Sequence, residues 1–433
     1  MIEKVIEGKA YIEGTFSECC IGIEHGKIVK IAKLLKGEEH IRLKGLILPA
    51  AIDIHVHFRD PGFPEKEDFS SGTISAAFGG VSCVLDMPNT SPATTTPNLC
   101  KDKISIGEKR AFIDFGIYAG INEENIDYLN DLSQFCTGYK VYLGETTNVG
   151  AVDIETLDKL FLQDIKKPIA FHAEDKRCLD RHKGKVTNLL EHAKTRPSSC
   201  EKKAIDEILK RSNSNLNMHI CHISSSAALY SLSSSKQKNI TIGVTPHHLL
   251  FKASKDLKPQ TYYKVNPPIR GIIDQEALWE GVASGEIDVI ESDHAPHTLE
   301  EKEGDFEEAP SGVPGTETLF PLMLYQFIRR NIPIDKLITM VCEKPAKIFG
   351  LPKGKIEIER DADLMVIEPK NVDKIKGENL HSRCGWTPFE GFSAIFPTDL
   401  FVRGERIIEE RELVGEKGFG RFVKSEGLSK ESP

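Results

Sequence analysis

Four things are missing from this chain, and each absence excludes something. No two of its ten cysteines are spaced CxxC; they lie scattered, in apolar stretches (Cys83, Cys221) or singly in helical ones (Cys178, Cys200). That is not a disulfide framework, and reduced thiols in a cytoplasmic protein are the expectation. Cys19 and Cys20 are adjacent, a poor geometry for a disulfide or a shared metal. No apolar run approaches bilayer-spanning length, and the N-terminal "MIEKVIEGKAYIEG" is too polar for a signal peptide, so no membrane partner is expected. There is no basic excess: 56 Lys and Arg stand against 65 Asp and Glu, a net charge of −9, with the signs mixed throughout. A phosphate-binding surface needs the opposite balance, which argues against nucleic acid. Finally, no GxGxxG turn follows the first strand, which counts against a dinucleotide-binding open sheet.

What is present reads as a soluble globular protein, 39% hydrophobic and 28% charged. Its 433 residues suit two or three average domains, or one large barrel plus something smaller. Residues 1–48 read as short strands and turns; "CIGIEHGKIVKIAK" is a hairpin signal about a His-Gly turn. Residues 349–433 look similar, as in "GKIEIERDADLMVIEP". These ends are either two unrelated β appendages or one composite β domain whose strands hide each other's edges.

Residues 49–348 alternate apolar runs with helical stretches. Eight strand candidates cover 47–57, 81–89, 114–121, 138–144, 167–174, 217–224, 239–247 and 287–296. Helices are predicted at 70–78, 153–164, 200–211, 273–284 and 316–330, and "SSSAALYSLSSS" reads as a Ser-rich helix start. Eight strand–helix units are the arithmetic of an α/β fold, a (β/α)8 TIM barrel.

The polar residues of these strands gather at their C-terminal ends, which in a barrel converge on one face. His55, His57, Lys140, His172, His222 and Asp293 would therefore meet. Strand alternation places Asp53, His55, His57 and Arg59 on one face, with Ile52, Ile54 and Val56 on the other. An HxH pair can put two imidazoles on one metal; alone it is more simply a hydrogen-bonded pair. Three further His or Asp strand ends turn the balance toward metal binding. Nitrogen and oxygen donors without thiolate suit zinc and allow manganese, cobalt or iron.

Lys140 is open to two accounts. A lysine in a buried strand should have a lowered pKa and can then add carbon dioxide as a carbamate, an anionic ligand. It can equally snorkel to the surface or pair with a carboxylate, and spacing alone favours that. Asp293, in "ESDHAPH", is a metal ligand and base or a turn aspartate. The acidic stretch "TLEEKEGDFEEAPSG" is a solvated loop or a lid. His219 reads as a core histidine or one standing behind the ligands; His247 and His248 are ambiguous. His25, His40, His182, His192 and His381 read as surface or structural.

With these segments in view the sequence resembles the amidohydrolase superfamily and, within it, the dihydroorotases. The resemblance is carried by "DIHVHFRDPG", "DMPNT", "GYKVYLGETT", "FHAED", "HICHIS", "VTPHH", "VNPPIR", "SDHAPHT" and "PSGVPGTET", spanning residues 53–318 in the family's order. It implies a distorted (β/α)8 barrel with a small β domain from both termini, and a binuclear metal centre with two Zn2+ per subunit. His55, His57 and Asp293 would hold one ion and His172 and His222 the other, with carbamylated Lys140 as the bridge. Gly243 stands where some relatives carry an acid that supports an additional ion, so a third is not expected.

The implied activity is the reversible cyclisation of N-carbamoyl-L-aspartate to (S)-dihydroorotate plus water, in pyrimidine biosynthesis. Asp293 would be the general acid and base, and His57, Arg59, Asn89, Asn266, His297, Ser311 and Gly312 would bind the substrate. A planar guanidinium such as Arg59 matches a carboxylate bidentately. Arg59 could instead pair with Asp60 or Glu65, and Asn89 could be a turn residue. The partner is thus a small molecule, and a homo-oligomer is compatible with the sequence. The rival readings are a dihydropyrimidinase/hydantoinase or allantoinase, whose neutral rings give no reason for Arg59, and a non-catalytic scaffold on the same barrel.

Overall fold

The computed structural model describes residues 2–144, 148–212, 215–235 and 237–425. Glu145, Thr146 and Thr147 of the "GYKVYLGETT" segment lie outside these, as do the last residues of the 349–433 segment.

Four strands open the chain: β1 (Ile2–Ile12), β2 (Thr15–Glu24), β3 (Lys27–Ala32) and β4 (Gly37–Pro49). The expected hairpin joins β2 to β3, and its two turn residues, His25 and Gly26, both have positive φ (51° and 78°). That turn matches the natural twist of the paired strands.

Eight parallel strands then follow: β5 (Ala51–Val56), β6 (Val81–Asp86), β7 (Asp114–Gly120), β8 (Gly138–Tyr142), β9 (Ile169–His172), β10 (Met218–Ile220), β11 (Ile240–Val244) and β12 (Val289–Ile290). They pair in chain order, as short crossover units require. The ring closes where Val56 bridges His294 in parallel and the His57 N–H donates to the His294 carbonyl at 2.7 Å. The chain is thus a distorted (β/α)8 barrel. Its helices include Phe69–Phe78, Ile154–Phe161, Ser198–Arg211, Ile272–Ser284 and Thr316–Arg329, close to the predicted spans.

The C-terminal strands are β13 (Leu364–Ile367), the small pair β14 (Asp373–Lys374) and β15 (Ser393–Ala394), then β16 (Asp399–Val402), β17 (Glu405–Glu409) and β18 (Glu412–Leu413). β13 lies antiparallel to β4, so both ends of the chain enter one sheet, ordered β18-β17-β16-β13-β4-β1-β2-β3. Ile6, Ile21, Ile47, Leu364 and Phe401 form its core. A buried ion cluster bolts this sheet to the barrel: Lys353 Nζ lies 2.7 Å from Asp114 on β7 and 2.8 Å from Asp363, just before β13.

Three expectations need correction. The apolar run at 47–57 is not one strand: β4 ends at Pro49 and β5 begins at Ala51, in a different sheet. Alternation along β5 is also broken, because its register against β6 shifts between Asp53 and Val56. Ile52 and Ile54 pack with Cys83, Leu85, Tyr118 and Ala170, whereas Val56 joins the cluster of Phe69 and Ala76. Finally, the thiols are not all reduced. Cys178 and Cys200, 22 residues apart, are joined in a disulfide, because the helices Lys176–Arg181 and Ser198–Arg211 pack side by side. The other eight cysteines are free and buried.

Candidate metal and substrate site

The C-terminal strand ends enclose a cavity of about 440 Å³. His55, His57, Arg59, Asn89, His172, His222, Asn266, Asp293, His297, Ser311 and Gly312 all line it, with Tyr142, Ala295 and Pro310. Residues scattered along the sequence are therefore brought together as the barrel reading requires. The backbone bends to aim them. Arg59, His222 and Asp293 all adopt left-handed φ (62°, 38° and 47°), which costs non-glycine residues on the order of 1–3 kcal/mol each. These bends end β10 and β12 earlier than the alternating sequence predicts.

The hydrogen bonds fix which ring nitrogens are free. His55 Nδ1 faces a carboxylate oxygen, Glu291 Oε2, at 3.2 Å. His57 Nδ1 faces Asn89 Oδ1 at 2.7 Å. Both partners accept, so both Nδ1 atoms carry the proton and both Nε2 atoms present lone pairs. Those lone pairs point at one carboxylate oxygen, Asp293 Oδ1, 3.3 Å from His55 Nε2 and 3.2 Å from His57 Nε2. Three electron-rich atoms at that spacing repel one another unless a cation lies between them. Ligands about 2.1 Å from a tetrahedral ion stand roughly 3.4 Å apart, so the spacing fits a metal.

A second pair has the same form. His172 Nε2 faces Glu174 Oε2 at 2.9 Å, which leaves His172 Nδ1 bare, 3.3 Å from His222 Nε2. Arg196 holds Glu174 in place, and despite burial it keeps that carboxyl well below the usual range. Burial, with the neighbouring Lys140 and Arg59 charges, pushes His55 down to about 4 and His57 well below its ordinary value. These two imidazoles, His55 and His57, are therefore neutral, the form that ligates. Burial raises the Asp293 carboxyl.

Lys140 is not among the residues that line the cavity. It is fully buried, its Nζ is 3.0 Å from Cys221 Sγ, and the Tyr142 ring lies 5.2 Å away. It neither reaches solvent nor pairs with a carboxylate among the described residues.

On the other wall, Arg59 Nε donates to Pro296 O, and its guanidinium contacts His297 at 3.2 Å. The suggested partners are not used: Asp60 pairs with Arg110. Lys66 Nζ is 3.2 Å from His297 Nδ1 and Arg59 Nη2 is 3.2 Å from His297 Nε2, which also stands 3.2 Å from Ser311 O. Gly312 has φ 140°, and a Cβ there would meet Ala295 O at 2.5 Å, so only glycine fits. The acidic loop is tied down: Lys302 Nζ donates to Pro310 O and Gly312 O, and Lys264 Nζ to Phe306 O, Glu307 O and Ala309 O.

Sequence reasoning missed Glu174, Arg196, Glu291 and Tyr142. The Tyr142 hydroxyl, His222 Nδ1 and Asn266 Oδ1 are buried on the cavity wall without hydrogen-bond partners among the described residues. Tyr142 had one signal, its place two residues after Lys140 at the end of β8. Asp53, expected to share the ligand face, instead accepts from Ser292 N at 3.1 Å and does not line the cavity.

Residues 46–404 match the amidohydrolase family model. The chain is 37% identical to the dihydroorotase of Methanosarcina mazei, covering 98% of each sequence, and 38% identical to that of Thermoplasma acidophilum, again with 98% of each covered. Among solved structures it resembles the L-hydantoinase of Arthrobacter aurescens, with a TM-score of 0.93 and 25% identity over 98% of this chain and 100% of that one. A D-hydantoinase gives a TM-score of 0.89 at 26% identity, covering 98% of both chains. No helix among the described residues is long and apolar enough to cross a membrane.

Proposed function

We propose that this chain, which belongs to the amidohydrolase family, is a dihydroorotase that interconverts N-carbamoyl-L-aspartate and (S)-dihydroorotate in pyrimidine biosynthesis. The observation that carries the reading is Arg59, a buried guanidinium on the cavity wall facing the cluster of imidazoles and Asp293. Hydantoin and dihydrouracil rings carry no carboxylate and leave such a cation without a partner. Dihydroorotate supplies one.

His55, His57 and Asp293 would hold one divalent ion, and His172 and His222 the other. Lys140 would bridge them as a carbamate, its amine nitrogen adding carbon dioxide with the loss of protons. Zinc suits this donor set. Bound there, the ions would polarise the ring carbonyl and acidify water.

The protein's own groups do the rest. Arg59 takes the substrate carboxylate in a two-pronged hydrogen bond, its Nη1 having no acceptor among the described residues. Asn266, the Asn89 amide and the backbone at Ser311 and Gly312 hold the ureide, beside His297. Asp293 receives the proton of the attacking water and delivers it to the ring nitrogen as the C–N bond breaks. In synthesis it takes the proton from that nitrogen and returns it to the departing water. The described parts of residues 1–48 and 349–433 supply the small β domain beside the catalytic segment 49–348, and the enzyme works in the cytoplasm on a small molecule.

A substrate panel tests the assignment. Dihydroorotate should be turned over far faster than dihydrouracil, hydantoin or allantoin; preference for any neutral ring rejects it.

A further inference from the structure

We propose that Glu291 is a positioning residue that fixes ligands of both metal groups through one carboxylate, and that Gly243 provides the space for it. The proposal rests on the metal-centre reading above and extends it to two residues that reading does not use.

Glu291 follows β12, two residues before Asp293, and is fully buried. Its two oxygens do different things. Oε2 faces His55 Nδ1 at 3.2 Å and His219 Nε2 at 3.3 Å. A carboxylate only accepts, so the proton sits on His55 Nδ1 and the lone pair on Nε2, directed at Asp293. Oε1 accepts from the backbone N–H of His222 at 2.7 Å. His222 has the left-handed φ of 38°, so this bond anchors a strained residue whose ring faces His172. One side chain thus sets the tautomer of a ligand in the first group and the backbone of a ligand in the second.

The carboxylate can stand there only because the neighbouring strand has no side chain at that point. A Cβ on Gly243 would lie 2.4 Å from Glu291 Oε1 and 2.8 Å from His219 Nε2. Position 243 pairs with Val289 across β11 and β12, so the space it leaves opens beside the end of β12. The glycine answers to packing: even one methyl group must displace the carboxylate or His219. His219, read from sequence as a core histidine or one behind the ligands, is the latter, bracing Glu291 from the far side.

The two contacts separate by mutation. Glu291→Gln keeps an acceptor for His222 N but offers His55 an amide that need not accept. Glu291→Ala removes both contacts. Gly243→Ala keeps the carboxylate and displaces it. The full-length protein would be purified, loaded with zinc and titrated against a chromogenic chelator, with circular dichroism and thermal melting run in parallel. Wild type should hold two ions. Glu291→Gln should weaken one by about 10–100-fold, Glu291→Ala both, and Gly243→Ala at least one, in protein with a native spectrum. If Glu291→Gln and Gly243→Ala hold two ions with wild-type affinity, Glu291 is not a positioning residue, whatever becomes of Glu291→Ala. If wild type itself holds none, the metal-centre reading fails first and this inference with it.

Discussion

Asp293 Oδ1 lies 3.2 Å from His57 Nε2, although 236 residues separate them in the chain. The closure of the barrel between its first and last strands makes that contact, and with it a place where a metal ligand can also carry a proton. Asp293→Asn should leave the circular dichroism spectrum unchanged and lower kcat by on the order of 10²–10⁴. A variant retaining a tenth or more of wild-type turnover would remove Asp293 from the role of base.

Arg59 gives the site its sign. Arg59→Met should reduce kcat/KM for dihydroorotate by about 10²-fold or more, since a buried charged hydrogen bond loses its donor. Activity toward dihydrouracil should change little. Competing the two substrates would read the change directly, and parallel losses on both would show that Arg59 serves the fold rather than the carboxylate.

Away from the ligands, His192 links stability to pH. Its Nε2 is 3.0 Å from the Val265 carbonyl, and burial, with a hydrogen bond and nearby charges modulating it, lowers the ring to about 4. The unfolded chain takes up this proton near pH 6.5 and the folded chain does not until about 4. Stability is therefore complete above pH 6.5 and is lost as pH falls toward 4, by about 3 kcal/mol for this one ring. Urea midpoints measured across that range should fall more steeply for wild type than for His192→Gln, whose amide can still donate to Val265.

The Cys178–Cys200 disulfide closes a short loop. Chain entropy assigns such a crosslink about 3 kcal/mol. Cys200→Ser should melt lower than wild type without reductant, and reductant should bring the two together. Equal melting temperatures in both conditions would contradict the crosslink's contribution.

Much of the site was legible because its residues announce themselves within a strand. HxH at 55–57, Lys140, His172, His222 and Asp293 each sit where an apolar run ends, and a barrel brings such ends together. Helices such as Phe69–Phe78 and Ser198–Arg211 were predicted to within a few residues by periodicity alone. The contacts that orient the ligands were not legible. Glu291 meets His55 across 236 residues, and its partner position Gly243 looks in sequence like an ordinary strand glycine. The split of 47–57 between two sheets was hidden because every residue from Ile47 to Val56 is buried, so no polar break marks Ala50. The disulfide was hidden for a similar reason: two lone cysteines become neighbours only through helix packing.

Metal removal and return tests the central claim most directly. The purified protein should carry two divalent ions per chain, lose dihydroorotate turnover when a strong chelator strips them, and regain it on addition of zinc. Undiminished turnover by protein shown to be metal-free would contradict the account.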